Sequence, residues 1–152
     1  MICPPPRLPG NLRITHSFED RFIVIAPPGF KLSNTQPSTK PEFLEKLFRG
    51  RQWLLINKEC LTGKLLDRWL TRRGILLERA MEMDNFDLIV NLVGMGMGVS
   101  IVPHRVLPLY PIRQSIKRIR LNPSFTRRLV VVTRKNRSPS PIITDFVRHV
   151  LF

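Results

Sequence analysis

Apolar residues fall in short runs and helical stripes along this chain. Phe18–Ala26 (FEDRFIVIA) ends in the unbroken run Phe22-Ile23-Val24-Ile25, which fits a strand buried on both faces, and Pro27-Pro28-Gly29 stops it. Ser33–Lys40 is a polar loop. Pro41, Glu42 and Glu45 suit the first turn of a short helix that reaches about Phe48 and closes at Gly50. Gln52–Asn57 (QWLLIN) reads as a second buried strand. After a loop, Thr62 is placed to cap a helix whose apolar stripe is Leu65, Leu66, Trp69 and Leu70, and Gly74 ends it.

Leu76–Met83 is a third strand candidate. Asp84 or Asn85 caps the next helix, where Phe86, Ile89, Val90 and Val93 recur at helical spacing. Gly94, Gly96 and Gly98 break that helix, and Val99–Val102 is a short strand closed by Pro103. Residues 104–115 form a proline-punctuated connector. Ile116–Leu121 sets Ile116, Arg118 and Arg120 against Lys117, Ile119 and Leu121, as in a half-exposed edge strand. Leu129–Thr133 (LVVVT) is a buried strand, and Asn136–Pro141 a turn. Pro141 opens a last helix with Ile142, Ile143, Phe146, Val147 and Val150 on one face. Strands that alternate with helices in this way imply α/β layers around a largely parallel sheet.

Composition narrows the class. The 152 residues suffice for one domain, or a small domain with part of another. No apolar run approaches the ~18 residues that span a bilayer, and Met1–Pro6 lacks the basic-then-apolar order of a signal peptide. A cytoplasmic protein without a membrane partner is expected. Cys3 and Cys60 make no disulfide framework and read as free thiols. The net charge is +14, and residues 112–137 hold nine Lys or Arg and no acid. Such an excess attracts anions, from nucleic acid to small metabolites. Aromatic residues do not interleave with it as single-strand stacking platforms would.

Signatures of catalysis are missing. No phosphate loop, HExxH or GxSxG occurs. Gly94-Met95-Gly96-Met97-Gly98 lacks dinucleotide spacing and runs from helix to strand, the reverse of the order that aims amides at a pyrophosphate. A tight turn using glycine's access to positive φ accounts for it. His16, His104 and His149 lie far apart, and no carboxylate pair stands out. The expectation is a non-enzyme without metal or cofactor.

Residues 84–103 carry a resemblance. A helix with Leu88 and Leu92, then Val93-Gly94-Met95-Gly96-Met97-Gly98-Val99-Ser100-Ile101-Val102-Pro103, resembles the helix, glycine turn, strand and proline of LysR-type transcriptional regulators. Gly96, Gly98 and Pro103 fall in place as structural turn residues. Met95 stands where the family has a small residue. Phe18–Pro28, with Phe30-Lys31-Leu32 in place of the family's histidine-proline-leucine phrase, resembles the strand before the first crossover. Leu129–Lys135 with Ser138–Phe146 resembles the closing segment. The likeness covers about residues 18–152.

The resemblance implies an effector-binding domain like a type II periplasmic-binding protein. Its mostly parallel sheet is flanked by helices, and part of a second subdomain accompanies it. Residues 27–126 would be the second subdomain, with 1–26 and 127–152 a remnant of the first and the crossovers. DNA contact would need a winged helix-turn-helix that has no counterpart here. The wall missing from the first subdomain is expected to be replaced by a partner chain, or its remnant rearranged. In the family a small molecule binds between subdomains and alters a homodimer or larger homo-oligomer. Asn57, Lys58 and Thr62, with Asp84, Asn85 and Phe86, match the second subdomain's side of that cleft. Both groups precede or begin helices, where free amides favour an anion and Lys58 adds charge. For Thr62 and Asn85 simple capping is an equal alternative. Three functions stay open: the sensor of a transcription regulator, a free-standing solute-binding module, and a basic nucleic-acid-binding protein.

Overall fold

A computed structural model describes residues 7–31, 47–109 and 116–151. Cys3, the loop at Ser33–Lys40, most of the helix expected from Pro41, and residues 110–115 of the connector lie outside them. The chain divides into a larger unit, Asp20–Arg127, and a smaller one formed by Met1–Glu19 with Arg128–Phe152.

In the larger unit the run Phe22–Ala26 forms the inner half of strand β1 (Leu12–Ala26), and every one of its residues is buried. Strands β4 (Ser100–Pro103) and β5 (Lys117–Arg120) pair with it, both antiparallel, so that Val24 lies opposite Ile101 and Ile119. Strand β2 (Trp53–Ile56) pairs in parallel with β3 (Arg79–Met83), and Trp53 also makes a parallel bridge to Val99. Helix α1 (Leu61–Thr71) joins β2 to β3, and α2 (Phe86–Gly94) joins β3 to β4.

The sheet is therefore not mostly parallel, which corrects the expectation from alternating strands and helices. Among the described residues, parallel pairing joins β2 to β3, a two-stranded sheet distinct from the four-stranded sheet around β1, and bridges Trp53 to Val99. The run in β1 signals burial on both faces, and a central antiparallel strand satisfies that as well as a parallel one. Strand β6 (Thr126–Arg134) pairs with β1 as well. In β5, Ile119 is buried while Arg118 and Arg120 are exposed. Lys117 does not share the burial of Ile119 and donates from Nζ to the Phe30 carbonyl at 2.6 Å.

The helix stripes hold. Leu66, Trp69 and Leu70 are buried on α1, and Ile89, Val90 and Val93 on α2. Asn85 caps α2, its Oδ1 accepting from the Leu88 amide at 2.9 Å. The cap of α1 is Cys60 rather than Thr62: its Sγ accepts from the Gly63 amide at 3.2 Å, and Thr62 already lies inside the helix. Gly50 and Gly74 have φ of 64°, the left-handed backbone of helix ends. In the glycine turn only Gly96 has positive φ, at 88°. Gly98 is small for another reason: a Cβ there would lie 2.7 Å from the Gln52 carbonyl oxygen, against the backbone to which Val99 bonds.

The smaller unit pairs the outer half of β1 with β6. Thr15 Oγ1 donates to the Val131 carbonyl, and the Lys135 amide to the Asn11 carbonyl. Leu12–Ser17 is polar and mostly exposed, so no apolar pattern announced it as strand. Helix α3 (Pro141–Phe146) has Ser140 as cap and Pro141 in its first turn, then widens into a π-turn over Val147–Leu151. No residue of α3 is buried.

Candidate functional site

The parallel strands end at two loops that the fold brings side by side. The chain leaves β2 at Asn57 and enters α1. It leaves β3 at Asp84 and enters α2. Because β3 lies on one side of β2 and Val99 on the other, the two crossovers travel in opposite directions along the sheet. Right-handed crossovers then put α1 and α2 on opposite faces, and the loops diverge at the carboxyl ends of β2 and β3. In open α/β sheets this is where ligands bind.

Hydrogen bonds tie the two loops. Asn57 Nδ2 donates to Asp84 Oδ1 at 2.9 Å, and Asn57 Oδ1 accepts from the Glu59 amide at 2.9 Å. The Lys58 amide donates to Glu82 Oε2 at 3.3 Å. Asn57 and Asp84 are thus committed to joining the loops, and the exposed rim carries Glu59, Glu82 and Asp84. The first turn of α1 packs so closely that a Cβ on Gly63 would sit 2.1 Å from the Asn57 carbonyl oxygen. Only glycine fits there.

Behind the rim lies a buried ionic cluster. Arg127 donates from Nε and Nη2 to Asp20 Oδ2, at 3.0 and 2.8 Å, and from Nη1 to Thr62 Oγ1 at 2.8 Å. Its guanidinium carbon lies 5.3 Å from the Phe22 ring centre and 5.8 Å from that of Phe86. Phe22 and Phe86 meet edge to face, and Phe22 lies opposite Pro103 across the β1–β4 ladder. The bonds named engage three of the five guanidinium N–H groups, leaving two. Asp20 is 2% exposed, yet its Oδ1 has no hydrogen-bond partner. A buried carboxylate oxygen without a donor is costly, and a group donating to it would offset that cost.

Of the six residues expected at a site, all come to this end of the larger unit. Asn57, Lys58 and Asp84 build the loop rim, Asn85 caps α2, and Thr62 and Phe86 meet the ionic cluster. Sequence reasoning missed Asp20, Phe22 and Arg127. A signal was present: Phe18, Asp20 and Phe22 alternate as buried positions with exposed Glu19 and Arg21, so strand period alone put Asp20 on an apolar face.

A family model described as LysR substrate binding domain matches residues 1–151. This chain belongs to the LysR substrate-binding domain family. The HTH-type transcriptional regulator CzcR of Bacillus cereus is 38% identical over 50 residues, which are 33% of this chain and 17% of that regulator. The chain thus matches a minor part of such a regulator's length. The regulatory domain of CcmR from Synechocystis PCC6803, solved in complex with 2-PG, superposes with a TM-score of 0.73 at 17% identity, covering 99% of this chain and 70% of that one. The effector-binding domain of QuiR, solved with shikimate, gives 0.66 at 17% identity, covering 97% and 67%. At that identity the likeness establishes a shared fold. The α/β LysR effector-domain fold therefore stands, with antiparallel pairing around β1 and parallel pairing between β2 and β3. Among the described residues no helix is long and apolar enough to cross a membrane, and no three potential metal ligands cluster.

Proposed function

We propose that this chain senses a small anionic metabolite and passes its binding to the oligomeric state of a LysR-type transcription regulator. The observation that carries the reading is the convergence of two helix N-termini, at Thr62 and Asn85–Phe86, on Arg127 and the unsatisfied Asp20 oxygen. The helix ends and the spare guanidinium N–H groups suit an anion. Asp20 Oδ1 suits a hydroxyl or amine on the same molecule. Asn57 and Lys58 shape the entrance through their loop, and Asp84 holds that loop in place. That CcmR was solved with 2-PG and QuiR with shikimate supports a small oxygen-rich ligand.

In this reading residues 27–126 are the second effector-binding subdomain, and 1–26 with 127–152 contribute part of the first. The compact unit Asp20–Arg127 supports the body of this division, while it takes in Asp20–Ala26 besides. DNA contact falls to a winged helix-turn-helix outside this chain, whose partners are the effector and further copies of itself.

The test is a thermal-shift screen of small carboxylates and phosphates, with shikimate and 2-PG included, followed by calorimetry. A ligand that binds only the folded state raises Tm with its concentration. Thr62→Ala combined with Asn85→Ala should weaken the ligand found by at least about ten-fold, the equivalent of roughly one and a half kcal/mol, while the fold persists. Unchanged affinity in the double variant would place the binding elsewhere.

A further inference from the structure

Helix α1 carries a second basic surface, on its C-terminal half, away from the Thr62 end. Arg68, Trp69, Arg72 and Arg73 line a concavity of about 360 Å³ together with Ser124 and Thr126. Its floor is aromatic: Trp69 lies 5.7 Å from Phe125 between ring centres, and the Arg73 guanidinium stacks 4.4 Å from the Trp69 ring centre. Arg68 spends one donor, Nε, on the Lys64 carbonyl at 3.2 Å. The acid of α1, Asp67, pairs with Arg79 instead. Among the described residues no ion pair reaches Arg68, Arg72 or Arg73. Arg68 and Arg72 stand four residues apart on one helix face, a spacing at which like charges repel.

A cationic helix C-terminus explains some of this, since the dipole favours positive charge there. It does not explain the two hydroxyls across the cavity or the Trp69 side chain. Trp69 is only 9% exposed and its Nε1 donor is buried without a partner. A group that neutralises the arginines and accepts from the two hydroxyls would fit this lining.

We propose that this concavity binds a small polyvalent oxyanion, a phosphoryl or sulfuryl group, at a site separate from the effector cluster. The arginines supply charge and forked donors, and Ser124 and Thr126 supply hydroxyl donors. A volume of this size suits a compact anion. Thr62 and Trp69 lie two turns apart on α1, and Arg127 directly follows Thr126, so occupancy here bears on the same helix and segment that hold the effector cluster.

The experiment titrates inorganic pyrophosphate into the full chain by calorimetry at low salt. Wild type, Arg72→Gln/Arg73→Gln, and Arg118→Gln/Arg120→Gln are compared, the last changing the same net charge on exposed positions of β5. The expected result is at least a ten-fold loss for the first double variant and less than a two-fold loss for the second. Acetate should bind at least ten-fold more weakly than pyrophosphate. Equal loss in both double variants would overturn the proposal, because attraction would then come from net charge alone. A short DNA duplex that binds with the same dependence on Arg72 and Arg73 and expels pyrophosphate would also overturn it, assigning the surface to nucleic acid.

Discussion

The two units use helices of similar pattern to very different ends. In the larger unit, α2 buries Ile89, Val90 and Val93 in a continuous core that includes Phe22, Trp53, Leu66 and Ile101. In the smaller unit, α3 shows an equally clear stripe, yet Ile142 is 81% exposed and Phe146 53%. There the buried apolar residues, among those described, are Phe18, Leu129, Val130, Val131 and Val147. An apolar stripe states that a helix has a face to bury. It does not state that the same stretch of chain supplies what covers it.

The comparison is tested hardest at Trp53. This side chain is fully buried, stacks on Phe48 with ring centres 5.1 Å apart, and donates from Nε1 to the Phe48 carbonyl at 3.1 Å. Trp53→Ala should cost about 3–5 kcal/mol through lost transfer energy and the cavity left behind. Urea unfolding followed by far-UV circular dichroism measures it. A loss below about 1.5 kcal/mol, less than half the low end of that range, would mean that the larger unit is no better packed than the smaller.

How far the sequence could be read follows the same division. Elements whose signal is local were legible: the β1 run, both α1 and α2 stripes, the Asn85 cap, and Gly50 and Gly74 as helix ends. Features that depend on distant partners were not. Strand direction failed because burial of β1 does not reveal which way β4 and β5 run. Thr62 does not cap α1 because the Cys60 thiol, two residues earlier, accepts from the Gly63 amide, while Thr62 Oγ1 accepts from Arg127, 65 residues away. Asn57, Lys58, Thr62, Asp84, Asn85 and Phe86 are marked as candidates by their place at helix starts. Their ionic centre is not, since Asp20 and Arg127 are 107 residues apart in sequence and one of them is hidden in a basic run. Gly63 gave no signal at all, because its need for smallness comes from the Asn57 carbonyl pressing on it.

A middle-sized effect is expected at the ionic cluster. Asp20→Ala leaves the Arg127 guanidinium, whose side chain is 14% exposed, without its counter-charge. Removing one partner of a buried pair costs about 3 kcal/mol or more when no water reaches the orphan. Here the partial exposure of Arg127 and its bond to Thr62 reduce that, and about 2 kcal/mol is expected. Asp20→Leu with Arg127→Met should recover most of it, since an apolar pair of similar volume removes both charges together. The double variant should nevertheless lose effector binding. Recovery of stability with binding retained would show the cluster to be structural only.

The smallest effect is expected on α3, and it decides whether that face is bare in solution. Ile142→Ser removes an apolar side chain that is already four-fifths in water. Surface changes of this kind stay within about 0.5 kcal/mol, and no cavity arises to add to it. Phe146→Ser should cost little more, because half of its ring is exposed. Hydrogen exchange gives the matching local view: amides of α3 should exchange faster than those of β1 between Phe22 and Ala26, which lie in the buried centre of the sheet. If instead Ile142→Ser lowers Tm by several degrees, and does so more at high protein concentration than at low, the face is covered by another copy of the chain. The concentration dependence separates that outcome from a purely internal contact, because mass action acts only on association.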